Sequence, residues 1–75
     1  MIPDAEKLYK TYFMKVYSYV LNIVKNTFQA EEITQNTFVK AFTAKSSYKG
    51  YSNEYTWLCA IAINLCYDYF REENR

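Results

Sequence analysis

Residues 4–25 read Asp4-Ala-Glu-Lys-Leu-Tyr-Lys-Thr-Tyr-Phe-Met-Lys-Val-Tyr-Ser-Tyr-Val-Leu-Asn-Ile-Val-Lys25. Apolar residues recur there every three or four positions, so they line one side of a helix with about 3.6 residues per turn. That side carries Leu8, Tyr9, Tyr12, Phe13, Val16, Val20, Ile23 and Val24. The opposite side carries Lys7, Lys10, Ser18, Asn22 and Lys25. The pattern predicts an amphipathic helix over residues 4–25, with Asp4 at the positive end of its dipole.

The pattern breaks at residues 26–29, and a second helix is predicted over about 30–45. Thr27 is a candidate N-cap, and Glu31 and Glu32 would occupy the first turn, where negative charge is favourable. The inward stripe of this helix consists of Ala30, Ile33, Thr34, Thr37, Phe38, Ala41 and Ala44. The outward stripe consists of Glu32, Gln35, Asn36, Val39 and Thr43.

Residues 46–52 are predicted to form a loop that precedes a third helix over about 53–73. Ser52 is a candidate N-cap of this helix, and Glu54 falls in its first turn. The core-facing stripe of the helix consists of Leu58, Ile61, Ala62, Leu65 and Tyr69. A flank beside that stripe carries Trp57, Asn64, Asp68 and Arg71.

Length and composition favour one small helical domain. A chain of 75 residues buries only about 60% of the surface that it exposes when unfolded, which leaves no room for a large enclosed active site. One glycine and one proline are too few for the turns of a strand-rich fold. The predicted fold class is therefore all-α, a compact bundle of three main helices. No signal peptide is predicted, because the N-terminus lacks a basic segment followed by an apolar run. No membrane span is predicted, because no run approaches about 18 consecutive apolar residues.

A catalytic role is disfavoured, because the chain has no histidine for acid–base chemistry and no glycine-rich phosphate loop. Glu31 and Glu32 are adjacent, so on a helix their side chains point about 100° apart. Cys59 and Cys66 would lie about 10 Å apart along a helix, too far for a disulfide. Two thiols alone also make a poor zinc site, so neither a metal nor a cofactor is predicted. Reduced thiols weakly favour the cytoplasm.

Two kinds of binding function remain open from the residues alone. Aromatic rings and a cation alternate around the loop, at Tyr48, Lys49, Tyr51, Tyr55 and Trp57. Unpaired bases stack on such rings for about 1–3 kcal/mol each, although composition alone favours the same rings as part of a small core. The outward stripe around Val39 is either a docking surface or a solvated face. The net charge of +1 argues against a protein that binds duplex DNA on its own.

Three runs, in order, resemble segments of region 2 of bacterial extracytoplasmic-function (ECF) sigma factors. Residues 30–42, Ala-Glu-Glu-Ile-Thr-Gln-Asn-Thr-Phe-Val-Lys-Ala-Phe, resemble the segment that binds the clamp helices of the largest RNA polymerase subunit. Residues 48–58, Tyr-Lys-Gly-Tyr-Ser-Asn-Glu-Tyr-Thr-Trp-Leu, resemble the DNA-melting segment. Residues 61–71, Ile-Ala-Ile-Asn-Leu-Cys-Tyr-Asp-Tyr-Phe-Arg, resemble the −10 recognition helix. Residues 8–21 are similar to the first helix of the family, so the resemblance covers nearly the whole chain.

The resemblance implies promoter −10 recognition and strand opening by a chain docked on RNA polymerase. In the family, the loop before the third helix caps a pocket for a flipped base of the non-template strand. Asn64 matches the family's asparagine on the recognition helix, and its amide can both donate and accept hydrogen bonds. The implied DNA-binding residues are Tyr48, Lys49, Gly50, Tyr51, Ser52, Tyr55, Trp57, Asn64, Asp68 and Arg71. The implied polymerase-binding residues are Glu32, Gln35, Asn36 and Val39.

The sequence also departs from the family pattern. Asn36 stands where relatives often carry glutamate, Ala60 where a large or basic residue is common, and Glu72 and Glu73 where a basic run is common. The family adds a −35-reading domain, so residues 1–75 are expected to be a fragment of a longer protein. An anti-sigma factor is a further partner known in the family, although no residue here points to one. The alternatives are a helical protein-interaction adaptor without DNA binding and a helix-turn-helix reader of duplex DNA.

Overall fold

The computed structural model describes residues 4–44, 48, 50 and 53–74. Three α-helices make up this part of the chain: α1 (Ala5–Val24), α2 (Thr27–Ala44) and α3 (Glu54–Glu73). Each helix packs against both of the others. The prediction of an all-α bundle of three main helices is confirmed.

Helix α1 agrees with its predicted range to within one residue at each end. The Asp4 side chain caps the helix by accepting a hydrogen bond from the Lys7 backbone N–H at 3.1 Å. At the other end Lys25 adopts a left-handed conformation (φ 58°), and its N–H donates to the Leu21 carbonyl at 2.9 Å. This bond satisfies one of the carbonyls that a helix end leaves open.

Helix α2 begins three residues earlier than the sequence predicted. The Asn26 carboxamide accepts a hydrogen bond from the Gln29 N–H at 2.9 Å, so Asn26 is the cap and Thr27 is the first helical residue. Glu31 and Glu32 therefore lie beyond the first turn, and their predicted role as partners of the helix dipole is wrong. Phe28 in the first turn is exposed, so the apolar pattern gave no sign of this extra turn.

Helix α3 is capped by Asn53 rather than by the predicted Ser52, which lies outside the described residues. The Asn53 side chain accepts from the Thr56 N–H at 2.8 Å, and the helix starts at Glu54. The predicted range of 53–73 is otherwise correct. Within the predicted loop, Gly50 is exposed and has φ +78°, a conformation that costs glycine little because it has no Cβ.

Aromatic packing joins the helices around Phe38 of α2, which is fully buried. Its ring centroid lies 5.2 Å from that of Tyr9 and 5.9 Å from that of Phe13, both on α1. The predicted inward stripes are buried or half-buried throughout. The buried hydroxyls of Thr34 and Thr37 donate to backbone carbonyls one turn earlier, so neither is left unsatisfied. The predicted core-facing stripe of α3 did not include Cys66, whose side chain is fully buried.

Candidate functional site

The four flank residues of α3 share one side of the helix, as predicted. Asn64, Asp68 and Arg71 are exposed there, and Trp57 is half-buried at the N-terminal end of the same side. With a rise of about 1.5 Å per residue, the row from Trp57 to Arg71 extends about 21 Å. This surface, which we call the α3 flank, is long enough to follow several nucleotides of an extended strand.

A small cavity lies between the α3 flank and the C-terminal half of α2. It has a volume of about 250 Å³ and is lined by Lys40, Ala44, Ile61, Asn64, Leu65 and Asp68. Apolar side chains and the Ala44 methyl group contribute the hydrophobic part of the wall, and Asn64, Lys40 and Asp68 contribute polar groups. The volume is below the range of roughly 300–1,000 Å³ that suits drug-sized ligands, so the cavity fits a smaller planar group.

The loop contributes an aromatic ring at the N-terminal end of the α3 flank. The Tyr48 ring lies 4.9 Å from the Trp57 ring, with an angle of 45° between their planes. Trp57 also packs against the hydrophobic core, which explains its intermediate burial. Trp57 is therefore part of the core, and its predicted role in DNA binding remains a prediction. Lys49, Tyr51 and Ser52, which were also predicted to bind DNA, lie outside the described residues.

Tyr55 does not join the α3 flank. Its ring stacks on Tyr12 of α1, with centroids 6.2 Å apart and an interplanar angle of 26°. A hydrogen bond with the Cys59 thiol is the main cause that raises the pKa of the Tyr55 hydroxyl, and burial adds to it. Tyr55 thus faces the α1–α3 interface rather than the surface that carries Asn64.

The C-terminal half of α3 carries more acidic than basic side chains: Asp68, Glu72 and Glu73 against Arg71. Arg71 forms an ion pair with Asp68 one turn earlier, and both side chains are largely exposed. Such a surface pair contributes little to stability. A second cavity between α2 and α3, about 390 Å³ in volume, is lined in part by Glu32, Asp68, Glu72 and Glu73. This end of the molecule is acidic and gives phosphate groups little electrostatic attraction.

The predicted polymerase-binding residues form one exposed face of α2. Glu32, Gln35, Asn36 and Val39 all point to solvent, and Val39 has 56% of its surface exposed. Phe28, which the sequence analysis did not select, extends this face with 71% of its surface exposed. It lies four and seven residues before Glu32 and Gln35, the spacing of one helix face. Phe28 also lines a shallow cavity of about 410 Å³ with Glu31, Glu32, Gln35 and Asn36. We call the surface formed by Phe28, Glu32, Gln35, Asn36 and Val39 the α2 face.

Neither thiol is set up for reaction or for metal binding. Burial raises the pKa of both Cys59 and Cys66, so both are protonated at neutral pH. Both cysteines are free. Among the residues that the structure describes, no cluster of His, Cys, Asp and Glu could hold a metal ion. None of the three helices, over their described lengths, is apolar enough to traverse a bilayer.

The family model and the similar proteins found by comparison all indicate the same protein family. The Sigma-70 region 2 family model matches residues 8–75. The chain is 32% identical over 66 residues to the ECF RNA polymerase sigma factor SigX of Bacillus subtilis, which covers 88% of this chain and 34% of the relative. It is 31% identical over 70 residues to the ECF RNA polymerase sigma factor SigM of the same organism, covering 93% of this chain and 42% of the relative.

A third relative is the RNA polymerase sigma-H factor of Pseudomonas aeruginosa, which is 36% identical over 53 residues, covering 71% of this chain and 28% of the relative. The chain thus spans well under half the length of these relatives. No solved structure matches the chain significantly.

Proposed function

The chain belongs to the sigma-70 region 2 family, in its ECF branch, and from that premise we propose that it binds RNA polymerase and recognises the unpaired −10 element of a promoter. It acts as a binding module rather than as an enzyme, in the cytoplasm and as one domain of a longer sigma factor. The observation that carries the proposal is the cavity beside Asn64. It lies between the C-terminal end of α2 and the α3 flank. The α2 face extends from there towards the start of α2, so we expect one domain to contact polymerase and DNA at once.

Base capture requires a site that compensates for the loss of stacking in the duplex. Extruding a base costs a few kcal/mol, whereas stacking on an aromatic side chain returns about 1–3 kcal/mol. The adjacent rings of Tyr48 and Trp57 supply a stacking surface, and the cavity about one helical turn beyond Trp57 accepts a single base. The Asn64 carboxamide then reads the edge of the base, since it can donate and accept at once.

Lys40 is a further candidate for DNA binding, which the sequence analysis did not select. It lies on α2, and it lines the same cavity as Asn64. We propose that its ammonium group neutralises a phosphate beside the captured base. This is the cation best placed for that role on the described surface, because Arg71 is already paired with Asp68. The neighbouring glutamates limit the attraction, so the isolated domain is expected to bind single strands weakly.

Docking on polymerase compensates for the weak electrostatic attraction between the domain and DNA. The net charge of +1 is too small for strong binding through counterion release, so a larger partner must bring the DNA close. We propose that the α2 face contacts the clamp helices of the largest polymerase subunit. Val39 and Phe28 provide apolar contact area in this face, and Glu32, with Gln35 and Asn36, provides polar contacts to a basic partner surface.

The proposal is tested by titrating the isotope-labelled domain with short single-stranded oligonucleotides of varied −10-like sequence and following the amide signals by NMR. We expect shifts around Tyr48, Trp57 and Asn64 that depend on base sequence and that disappear in Asn64→Ala. A matched control is Asn22→Ala, which removes an exposed asparagine from α1. If Asn64→Ala binds every oligonucleotide like the wild type, alone and on polymerase, the base-reading role is wrong and an adaptor role without DNA binding is favoured.

A further inference from the structure

One side chain of α1 holds the first turn of α3. The Tyr12 hydroxyl donates a hydrogen bond to the Glu54 carboxylate at 3.3 Å, across 42 residues of chain. The ring of the same tyrosine stacks on Tyr55, the next residue of α3. Two successive residues at the start of α3 are therefore held by a single residue of another helix.

This turn is where the loop and the α3 flank meet. Asn53 caps the helix immediately before Glu54, and Trp57 follows Glu54 by three residues. Trp57 in turn contacts Tyr48 of the loop. A rotation of the first turn would carry Trp57 with it and would separate the two rings. The orientation of the stacking surface thus depends on how the first turn is held against α1.

Tyr12 remains a hydrogen-bond donor at neutral pH. Burial raises the pKa of its hydroxyl, and the negative charge of Glu54 raises it further. Tyr48 adds a smaller contribution to this rise in pKa. The tyrosine is half-buried, and its hydroxyl and ring contact Glu54 and Tyr55 of α3.

We propose that Tyr12 is a positioning residue for base recognition: through Glu54 and Tyr55 it sets the orientation of the Tyr48–Trp57 pair that receives the unpaired base. This inference deepens the proposed function and rests on it for the role of the ring pair. The hydrogen bond of 3.3 Å is longer than the usual length of about 2.7–2.8 Å. Its contribution to the free energy of unfolding should therefore be at the low end of the usual range of about 0.5–1.5 kcal/mol.

The variants Tyr12→Phe and Glu54→Met separate orientation from folding. Tyr12→Phe removes the hydroxyl and keeps the ring that stacks on Tyr55. Glu54→Met removes the acceptor oxygens and keeps the length of the side chain, whereas a glutamine at this position would still accept the hydrogen bond. Tyr9→Phe is the matched control, because Tyr9 also lies on α1 but its ring packs on Phe13 and Phe38 instead of α3. All three variants should retain the helical circular dichroism of the wild type.

The first measurement needs no DNA. Trp57 is the only tryptophan in the chain, so quenching of its fluorescence by acrylamide reports directly on the exposure of the ring pair. We expect quenching to increase in Tyr12→Phe and in Glu54→Met, with no further increase in the double variant, because both changes remove the same bond. Tyr9→Phe should match the wild type. Unchanged quenching in both single variants, or additive effects in the double variant, would overturn the inference.

The second measurement is the affinity of the same variants for the preferred single-stranded oligonucleotide. We expect a loss of about two- to fivefold in Tyr12→Phe, the lower part of the range for one hydrogen bond, because this bond is longer than usual. Affinity for the polymerase clamp helices should not change, since the α2 face is not involved. A loss of both affinities would indicate a general structural defect and would contradict a positioning role. If the wild type shows no base preference, the proposed function fails, while the quenching series still decides whether Tyr12 orients the ring pair.

Discussion

Replacing Val39 by serine tests the α2 face, because Val39 is the only apolar residue among the four that were predicted to bind polymerase. Val39 lies in the interior of α2 and has 56% of its surface exposed. Serine and valine have similar helix propensities, so the change should leave the free energy of unfolding within about 0.5 kcal/mol of the wild type. An effect on polymerase binding would therefore not arise from unfolding.

The expected loss of affinity follows from the exposed fraction. Complete burial of a valine side chain is worth about 1.5–3 kcal/mol. A partner can cover only the 56% that the fold leaves exposed, which corresponds to about 0.8–1.7 kcal/mol. The dissociation constant for polymerase should therefore increase by roughly four- to twentyfold in Val39→Ser.

The assay is a calorimetric or fluorescence titration of polymerase core, or of a fragment containing its clamp helices, with each variant. Met14→Ser is the control, because Met14 is an exposed apolar residue of α1 with 66% of its surface accessible, outside the α2 face. We expect the control to bind like the wild type. An affinity of Val39→Ser within about twofold of the wild type, or an equal loss in Met14→Ser, would refute the assignment of the α2 face.

Three further predictions concern stability. Phe38→Ala should lower the free energy of unfolding by about 3–5 kcal/mol. This is a large part of the roughly 4–11 kcal/mol expected for a domain of this size. A loss below about 1 kcal/mol in urea unfolding would contradict the central position of this ring. Asn53→Ala should cost about 1 kcal/mol through loss of the α3 cap, whereas Asn74→Ala at the other end should cost much less, and equal thermal shifts would contradict this. Because burial raises the pKa of Cys66 above its ordinary 9.0, the folded state retains the thiol proton, and stability should fall as the pH rises past about 9. Urea unfolding of Cys66→Ala should show a shallower fall over the same pH range; an identical slope would contradict the role of Cys66 and assign the effect to Cys59 and the tyrosines.

The sequence predicted most of the fold because the apolar pattern and the burial pattern coincide. In α1 the spacing of Leu8, Val16, Val20 and Val24 marks the buried side, and all four are buried in the structure. The start of α2 was misplaced because its first turn exposes Phe28 and is capped by Asn26, so no apolar stripe marks it. Local periodicity reports which side of a helix is buried, and it says little about a turn that buries almost nothing.

The site was less predictable because it depends on how the helices are placed relative to one another. Helical spacing correctly grouped Trp57 with Asn64 on one side of α3. It could not show that Tyr55 turns towards Tyr12, or that Lys40 reaches the cavity beside Asn64, since both contacts join residues distant in sequence. Phe28 could have been found from its spacing with Glu32 on the outward stripe if the helix start had been placed correctly.

The most direct test of the central claim compares single-stranded and duplex forms of one −10-like oligonucleotide, both titrated against polymerase core saturated with this chain. The account predicts tighter binding of the single strand, a preference among base sequences, and loss of that preference in Asn64→Ala. Equal or tighter binding of the duplex, with the same affinity in Asn64→Ala, would contradict the capture of an unpaired base. That result would favour recognition of double-stranded DNA, as a helix-turn-helix protein performs it.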